Sequence, residues 1–290
     1  MLVAAPLLFL WGACVTPLSI RLSNRYRIVD LPGERKIHSM VTPRGAGIVL
    51  WLGFLLWAML LAEMTFQLRF LATGCTAVFL SGYWDDMRSL NARVRFGVHL
   101  SAAAIFLFSF HMPPLHALLS LFWITGVTNA YNLIDGANGL CLMMFITGAC
   151  IASFLGNASF FLSMASLAAG VLLWNFPQAK TFLGDGGTTL IGYLFACYFI
   201  ATVNPLFQAV SFVELPFLLI LAGGIPVVDT LFAIMRRLWA GKSPFTPDRG
   251  HVHHRLMDLG ISPFWTVVIL AFFQCCIVAA GIGFFALRVS

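Results

Sequence analysis

The sequence predicts an all-α protein that crosses a membrane many times, and three observations support this. Of the 290 residues, 60% are hydrophobic and only 10% are charged, whereas soluble domains carry roughly 25% charged residues. Long stretches hold no charged side chain, for example between Arg95 and Asp135 and between Asp135 and Lys180. The Lys and Arg residues are concentrated in a few short segments between such stretches. We expect residues 1–290 to form a single transmembrane domain.

The charge-free stretches supply ten candidate spans, since a membrane helix needs about 20 mainly apolar residues. No basic residue precedes the first, so we interpret it as a membrane span and not as a cleaved signal peptide. Breaks at Met112–Pro114 and at Gly156–Asn157 each divide one long stretch into two passes. The expected spans are 2–20, 46–62, a short one at 70–84, two within 95–135, two within 135–180, 187–203, 212–235 and 263–287.

Ten spans place five connections on one side of the membrane, namely 21–45, 85–95, 132–139, 176–186 and 236–262. All Lys and Arg residues except Arg69 and Arg288 fall in these connections. Loops rich in Lys and Arg stay in the cytoplasm, so we expect both termini outside. Most acidic residues lie in or beside the same loops. Lys and Arg alone are enough to orient the protein in the membrane, so the clustered acids need another explanation. We therefore expect an active site on the cytoplasmic face.

Two adjacent carboxylates, Asp85 and Asp86, follow the third span. Charged residues at the edge of the hydrocarbon are costly and usually functional. Neighbouring carboxylates repel, which raises the pKa of at least one and suits the pair to cation binding or proton exchange. The alternative is two solvated acids at a helix end. The polar clusters on the same face favour the functional interpretation.

The first and third loops carry groups suited to anions and polar ligands. Arg35, Lys36 and His38 adjoin a turn shaped by Pro and Gly, and we expect them to bind phosphate. The third loop reads N-A-Y-N-L-I-D-G-A-N-G-L over residues 129–140. Helical spacing puts Asn129 and Asn132 on one face. An Asp-Gly turn would explain Asp135, but it would not explain Asn132.

The fourth loop, F-L-G-D-G-G at residues 182–187, presents Asp185 just before an apolar helix. This aspartate could cap the helix, or it could be an oxygen ligand for Mg²⁺. In the fifth loop, three histidines lie between Arg249 and Arg255. Zinc is one interpretation, but cysteine ligands and an H-E-x-x-H helix are missing nearby. Because the arginines would repel a dication, we interpret this loop as a phosphate clamp of Arg249, His251, His253 and His254.

The Asp-Asp pair, the motifs at 129–140 and 182–187, and S-P-F-T-P-D-R-G-H-V-H-H-R-L at 243–256 occur in this order. Together they resemble the polyprenyl-phosphate N-acetylhexosamine-1-phosphate transferase family, glycosyltransferase family 4. The resemblance extends from Asp30 to about Leu259. The last motif and the R-K-x-H of the first loop are closer to the WecA branch than to the MraY branch.

The resemblance implies an enzyme of the plasma (inner) membrane that requires Mg²⁺, or Mn²⁺ in its place. It would transfer a sugar-1-phosphate from a UDP-N-acetylhexosamine, by default UDP-GlcNAc, to undecaprenyl phosphate and release UMP. That step would initiate O-antigen, capsule or other envelope polysaccharide synthesis. QuiNAc and FucNAc donors stay open, as does a homodimer. A nucleotide-sugar transporter is the alternative class, but transporters place charges near the midplane. No nucleic-acid partner is expected, because the +6 charge follows topology.

Site roles also follow from the resemblance, position by position. Asp185 and Asn132 would hold the metal, and Asp85, Asp86 and Asp135 would be catalytic, with Asp85 as the base. Phe182 would stack on uracil, and Asn138 would lie near it, where many bacterial relatives carry Asp. The remaining substrate-binding residues would contact phosphates: Arg35, Lys36, His38, Arg95, Arg249, His251, His253 and His254.

Overall fold

A computed structural model describes residues 4–31, 40–244, 246 and 249–289, in which short loops and two very short strands connect the helices. β1 (Val29–Asp30) and β2 (Thr42–Pro43) pair antiparallel. The helices are α1 (Ala4–Arg25), α2 (Ala46–Leu56), α3 (Phe66–Met87), α4 (Ala92–Leu107), α5 (Pro114–Leu133), α6 (Leu140–Ala152), α7 (Ala158–Asn175), α8 (Gly184–Val203), α9 (Glu214–Trp239), α10 (Val252–Asp258) and α11 (Pro263–Val289). A π-helical turn, Trp57–Leu61, extends α2, and a 3₁₀ helix, Asn204–Ala209, follows α8.

Each of the ten expected spans coincides with one of the helices α1–α9 and α11. The predicted breaks are confirmed: Pro113 precedes α5, and Asn157, in a left-handed conformation, precedes α7. The third helix is longer than its predicted span. It begins at Phe66 because the Thr65 hydroxyl accepts a hydrogen bond from the Leu68 amide at 3.2 Å and caps the helix. The short helix α10 was not predicted.

The chain is a multi-pass membrane protein. Within the described part of the chain, five segments are both long and apolar enough to cross a membrane: Ala4–Arg25, Ala158–Asn175, Gly184–Phe207, Glu214–Trp239 and Pro263–Arg288. Two further apolar helices are shorter, Ala46–Leu61 and Leu140–Ala152. At 1.5 Å per residue, α6 covers roughly 20 Å, which is less than the ~30 Å of a hydrocarbon core. The total of ten spans therefore stays a prediction.

Helix α8 lies at the centre of the bundle and packs against α2, α3 and α5. Most of its side chains are buried. Glycines allow backbone contact at its first turn: a Cβ added to Gly82 of α3 would lie 2.6 Å from the Asp185 backbone. A Cβ added to Gly47 of α2 would lie 2.7 Å from the Gly187 nitrogen. This close approach brings the ends of α2 and α3 to the first residues of α8.

Ion pairs show that the predicted cytoplasmic loops meet at one end of the bundle. Arg44, from the first loop, pairs with Asp86 at the end of α3. Arg95, in the first turn of α4, pairs with Asp185 at the start of α8. At the other end, Arg288 of α11 pairs with Glu214 of α9. The polar loops therefore share one end, as an alternating up-and-down arrangement requires.

We expect single cysteines to label according to this arrangement. Asn157 and Lys242 are both exposed but belong to opposite ends of the chain's helices. In intact cells, a membrane-impermeant maleimide should modify Asn157→Cys and should not modify Lys242→Cys. In permeabilised cells the maleimide should modify both variants. Labelling of the unsubstituted protein, which has its own cysteines, gives the background signal. Modification of Lys242→Cys in intact cells, alone or with Asn157→Cys, would overturn the ten-span topology.

Candidate active site

A cavity of about 350 Å³ opens where the loops meet. Its size falls within the roughly 300–1,000 Å³ typical of small-molecule sites. Its wall comes from the first, third, fourth and fifth predicted loops and is rich in carboxylates and amides. The lining residues are Asp30, Arg44, Asn132, Asp135, Gly136, Ala137, Asn138, Asn175, Phe182, Gly184, Asp185, His254 and Pro263. Six of the predicted site residues are therefore brought together: Asn132, Asp135, Asn138, Phe182, Asp185 and His254.

Asp85 reaches this cavity through an arginine. The Nη1 atom of Arg95 donates to the Asp85 carboxylate and also to Oδ2 of Asp185, at 2.5 Å. The second Asp85 oxygen accepts the Leu90 amide at 2.5 Å. Arg95 therefore lies between two carboxylates, so its charge offsets theirs. The sequence assigned Arg95 to phosphate, whereas this structure gives it acidic partners.

Asp86 has a different position and holds the start of α8. Its side chain is only 3% exposed. The carboxylate accepts the backbone amides of Asp185 at 3.0 Å and Gly186 at 3.3 Å. These are among the amides that a helix N-terminus leaves without intrahelical partners, and a negative charge there is favourable. Asp86 thus fixes the backbone that carries Asp185.

Gly184 is required for this contact. Its φ is +68°, a left-handed conformation that glycine adopts without strain. A Cβ at this position would also lie 2.3 Å from an Asp86 oxygen. The first glycine of the G-D-G-G motif therefore lets the Asp86 carboxylate approach the amides of α8.

Asn132 and Asp185 both line the cavity, and Asn132 is oriented by a hydroxyl. Thr188 Oγ1 donates to Asn132 Oδ1 at 2.7 Å, which leaves that oxygen a second acceptor site. Among the described residues, no three His, Cys, Asp or Glu side chains are close enough to form an all-protein metal cage. Mg²⁺ commonly binds through one or two carboxylates together with substrate phosphates. The oxygen donors of Asp185 and Asn132 fit that mode of binding.

The third loop is tied to the fourth by amides. Asn175 accepts the Gly139 amide at 2.8 Å and donates to the Thr181 carbonyl at 2.7 Å. Asn138 donates to the Pro177 carbonyl at 3.2 Å. Asp135 faces the cavity from this loop. Partial removal of water by the surrounding protein, and then the negative charge of Asp185, raise the pKa of Asp135. The side chain is also exposed to water, which screens part of this effect.

The three histidines have different environments. His251 is buried and donates from Nδ1 to Asp229 of α9 at 2.6 Å. His253 is 1% exposed and packs against the third loop, where a Cβ on Gly136 would lie 1.9 Å from its Nε2. Burial, and then the charges of His254 and His251, lower the pKa of His253 to about 3. A neutral His253 cannot act as a cation for phosphate, and only His254 lines the cavity.

We therefore expect His253→Ala and His254→Ala to affect catalysis differently. Loss of His254 should raise the KM for the donor, because this side chain faces the cavity. Loss of His253 should lower kcat and the Tm, because it removes packing beneath Gly136. Neither change should alter the metal content of the purified protein. Stoichiometric zinc that disappears in His253→Ala would instead support the zinc site that the sequence disfavoured.

The remaining predicted residues lie away from this cavity or outside the described residues. Arg249 lines a neighbouring cavity of about 260 Å³ that shares His254 and Pro263 with the first. Arg35, Lys36 and His38 lie in the segment 32–39, outside the described residues, so their assignment stays a prediction.

Three cavity residues with polar side chains were not predicted as site residues: Asp30, Arg44 and Asn175. Arg44 carried a usable signal, since it is a basic residue directly before the second span, on the face that holds the acids. Asp30 carried a weaker signal, as an acid within the first polar loop. Asn175 ends an apolar helix outside any of the four motifs, so only the fold reveals its position.

Several known proteins are similar to this chain over most of its length. The sequence pattern of glycosyl transferase family 4 matches residues 68–203. A probable undecaprenyl-phosphate N-acetylglucosaminyl 1-phosphate transferase of Bacillus subtilis is 30% identical over 88% of this chain and 77% of its own length. A decaprenyl-phosphate N-acetylglucosaminephosphotransferase of Mycobacterium leprae is 31% identical over 90% and 77%. The undecaprenyl-phosphate alpha-N-acetylglucosaminyl 1-phosphate transferase of Escherichia coli is 25% identical over 95% and 81%.

These similarities extend over 88% to 95% of this chain. They confirm the resemblance that the ordered loop motifs indicated. This chain belongs to glycosyl transferase family 4, the family of the polyprenyl-phosphate N-acetylhexosamine-1-phosphate transferases.

Proposed function

We propose that this protein transfers N-acetylhexosamine-1-phosphate, by default GlcNAc-1-phosphate, from its UDP-sugar to undecaprenyl phosphate and releases UMP. The supporting observation is the cavity at the meeting point of the loops, where carboxylates, amides and an arginine face one space. The three relatives named above bear names for this type of reaction. A site at the ends of membrane helices suits a reaction between a soluble nucleotide-sugar and a lipid phosphate.

The proposed mechanism depends mainly on positioning and on electrostatic stabilisation, as phosphoryl transfer generally does. Asp185 and Asn132 would hold a Mg²⁺ ion, which would neutralise charge on the diphosphate and on the leaving UMP. Asp86 keeps Asp185 in place through the backbone of α8. Arg95 offsets the charges of Asp85 and Asp185.

Two carboxylates have roles in proton transfer. Asp85 is the proposed acceptor for a proton of the lipid phosphate. Asp135 faces the cavity with a raised pKa, which suits a carboxyl to proton exchange nearer neutral pH. Phe182 and Asn138 also line the cavity, and we propose that they contact the uracil. These assignments place all of the chemistry at one end of the bundle.

We also propose that this end faces the cytoplasm of a plasma (inner) membrane and that residues 1–290 form one catalytic domain. The reaction would start the assembly of an O-antigen, capsule or other envelope polysaccharide. The donor specificity among GlcNAc, QuiNAc and FucNAc depends on how the cavity contacts the sugar.

UMP release by the purified protein in detergent tests this function, because no transport across a membrane is measurable there. The assay combines undecaprenyl phosphate and Mg²⁺ with each UDP-amino sugar in turn. We expect UMP release with at least one donor, and none when undecaprenyl phosphate is omitted. A protein that binds UDP-sugars but releases no UMP with any of them would favour the transporter.

A further inference from the structure

The cavity wall is acidic, although the proposed substrates are anions. Asp30, Asp135 and Asp185 all line it. Of the lining residues that the structure describes, Arg44 is the one Lys or Arg side chain. His254 also lines the cavity, but burial, and then the charge of Arg249, lower its pKa and favour the neutral ring. Among the described lining residues, Arg44 therefore supplies the positive charge that an incoming phosphate would meet.

The backbone around Arg44 is held by two loops. Pro43 pairs with Val29 in the two-stranded sheet. The Phe182 amide donates to the Pro43 carbonyl at 2.8 Å, and the Gly45 amide donates to the Phe182 carbonyl at 3.2 Å. Arg44 thus directly follows β2, and the backbone around it is hydrogen-bonded to Ile28 on one side and to Phe182 on the other. A side chain on so well supported a backbone is positioned before any ligand arrives.

The guanidinium of Arg44 retains capacity for a ligand. Nη2 donates to Asp30 at 2.6 Å, and Nη1 donates to Asp86 at 3.3 Å. A guanidinium has five N–H donors, so these two contacts leave others, and 29% of the side chain is exposed. The longer contact is also exchangeable, because Asp86 already accepts the amides of Asp185 and Gly186.

We propose that Arg44 binds a phosphate oxygen of a substrate in the cavity, while Asp30 holds its guanidinium in place. This inference rests on the proposed function and adds the residue that recognises the phosphate. Arg95, which the sequence assigned to phosphate, pairs with Asp85 and Asp185 and is not among the residues that line the cavity. The phosphate belongs either to the diphosphate of the donor or to the lipid acceptor, and the experiment separates these two sources.

The test compares Arg44→Gln and Arg44→Lys with Arg93→Gln. Arg93 is exposed in the first turn of α4, so its variant removes the same charge from the same end of the bundle. Binding of UDP and of uridine is measured in detergent with Mg²⁺, together with the KM for the UDP-sugar and for undecaprenyl phosphate. A lost charge-assisted contact should weaken phosphate binding about 10- to 100-fold. Arg44→Lys keeps the positive charge but lacks the planar set of N–H donors, so it should lose less phosphate affinity than Arg44→Gln.

The pattern of effects identifies the phosphate. If Arg44 contacts the donor, Arg44→Gln lowers the ratio of UDP to uridine affinity and raises the KM for the UDP-sugar. If it contacts the acceptor, only the KM for undecaprenyl phosphate rises. Values equal to those of Arg93→Gln in all of these measurements would overturn the proposal, and Arg44 would then only neutralise Asp30 and Asp86.

The binding measurement does not require the protein to be catalytically active. If the wild-type protein released no UMP, the proposed function would fail, yet the UDP-to-uridine ratio could still be compared. An unchanged UDP-to-uridine ratio, together with unchanged binding of undecaprenyl phosphate in Arg44→Gln, would then overturn the phosphate contact as well. A reduced ratio would support the contact for a different phosphate-containing ligand.

Discussion

Asp185→Asn should reduce turnover on the order of 10³-fold while the protein stays folded. A bound metal contributes several kcal/mol to stabilising charge in the transition state, and each ~1.4 kcal/mol corresponds to a factor of ten in rate. The fold should survive because the contacts that start α8 use the Asp185 backbone. Its amide donates to Asp86, and its carbonyl accepts Thr189 at 2.6 Å. The measurement is UMP release across a Mg²⁺ titration, with Mn²⁺ as a second metal.

Glu63→Gln supplies a matched control, since it makes the same change in an exposed acid before α3, at the opposite end of the bundle. It should keep wild-type turnover. Chelation with EDTA should inactivate the wild-type protein and Glu63→Gln equally. Near-normal turnover of Asp185→Asn, or full activity in EDTA, would show that Asp185 is not a metal ligand.

Asp85→Asn and Asp86→Asn should impair the protein in different ways, although the two residues are neighbours. Asp85→Asn removes the proposed proton acceptor and should cost on the order of 10²–10⁴ in turnover. Its fold should persist, because Arg95 keeps Asp185 as a partner. Asp86→Asn should be milder in turnover but should lower the Tm. The buried carboxylate accepts two amides and Arg44, and a weakened buried acceptor costs about 1–3 kcal/mol.

The measurements are turnover against pH and a melting curve for each variant, with UDP-GlcNAc and undecaprenyl phosphate. Apparent pKa values from such profiles belong to the coupled carboxylates together. Wild-type turnover in Asp85→Asn over the whole neutral range would rule it out as the base. An unchanged Tm in Asp86→Asn would show that its contacts with α8 contribute little to stability.

The sequence was informative wherever one residue type carries both the chemistry and the local structure. Asp185 and Asn132 lie in motifs whose glycines and amides have little purpose in a plain membrane helix, and both reach the cavity. The expected spans also coincide with helices, since hydrophobic stretches and proline breaks are local properties. The length of α3 was underestimated because the Thr65 cap precedes the charged Arg69.

The partners of each side chain depended on contacts between distant segments. Arg95 pairs with Asp185, 90 residues away, and Arg44 pairs with Asp86, 42 residues away. No periodicity links such positions. The histidine motif likewise suggested three equivalent phosphate-binding residues. In the structure, however, His251 and His253 are buried at the start of α10, and only His254 lines the cavity. Residue type alone could not separate these environments.

The fate of the β-phosphate of the donor tests the central proposal most directly. The purified protein is incubated with Mg²⁺, undecaprenyl phosphate and UDP-GlcNAc, or the donor that the panel identifies, labelled with ³²P in the β-phosphate. Sugar-1-phosphate transfer predicts that the label enters the lipid fraction in a diphosphate-linked product while unlabelled UMP is released in equal amount. Labelled UDP in solution with an unlabelled glycolipid would show transfer of the sugar alone and would contradict the proposed reaction.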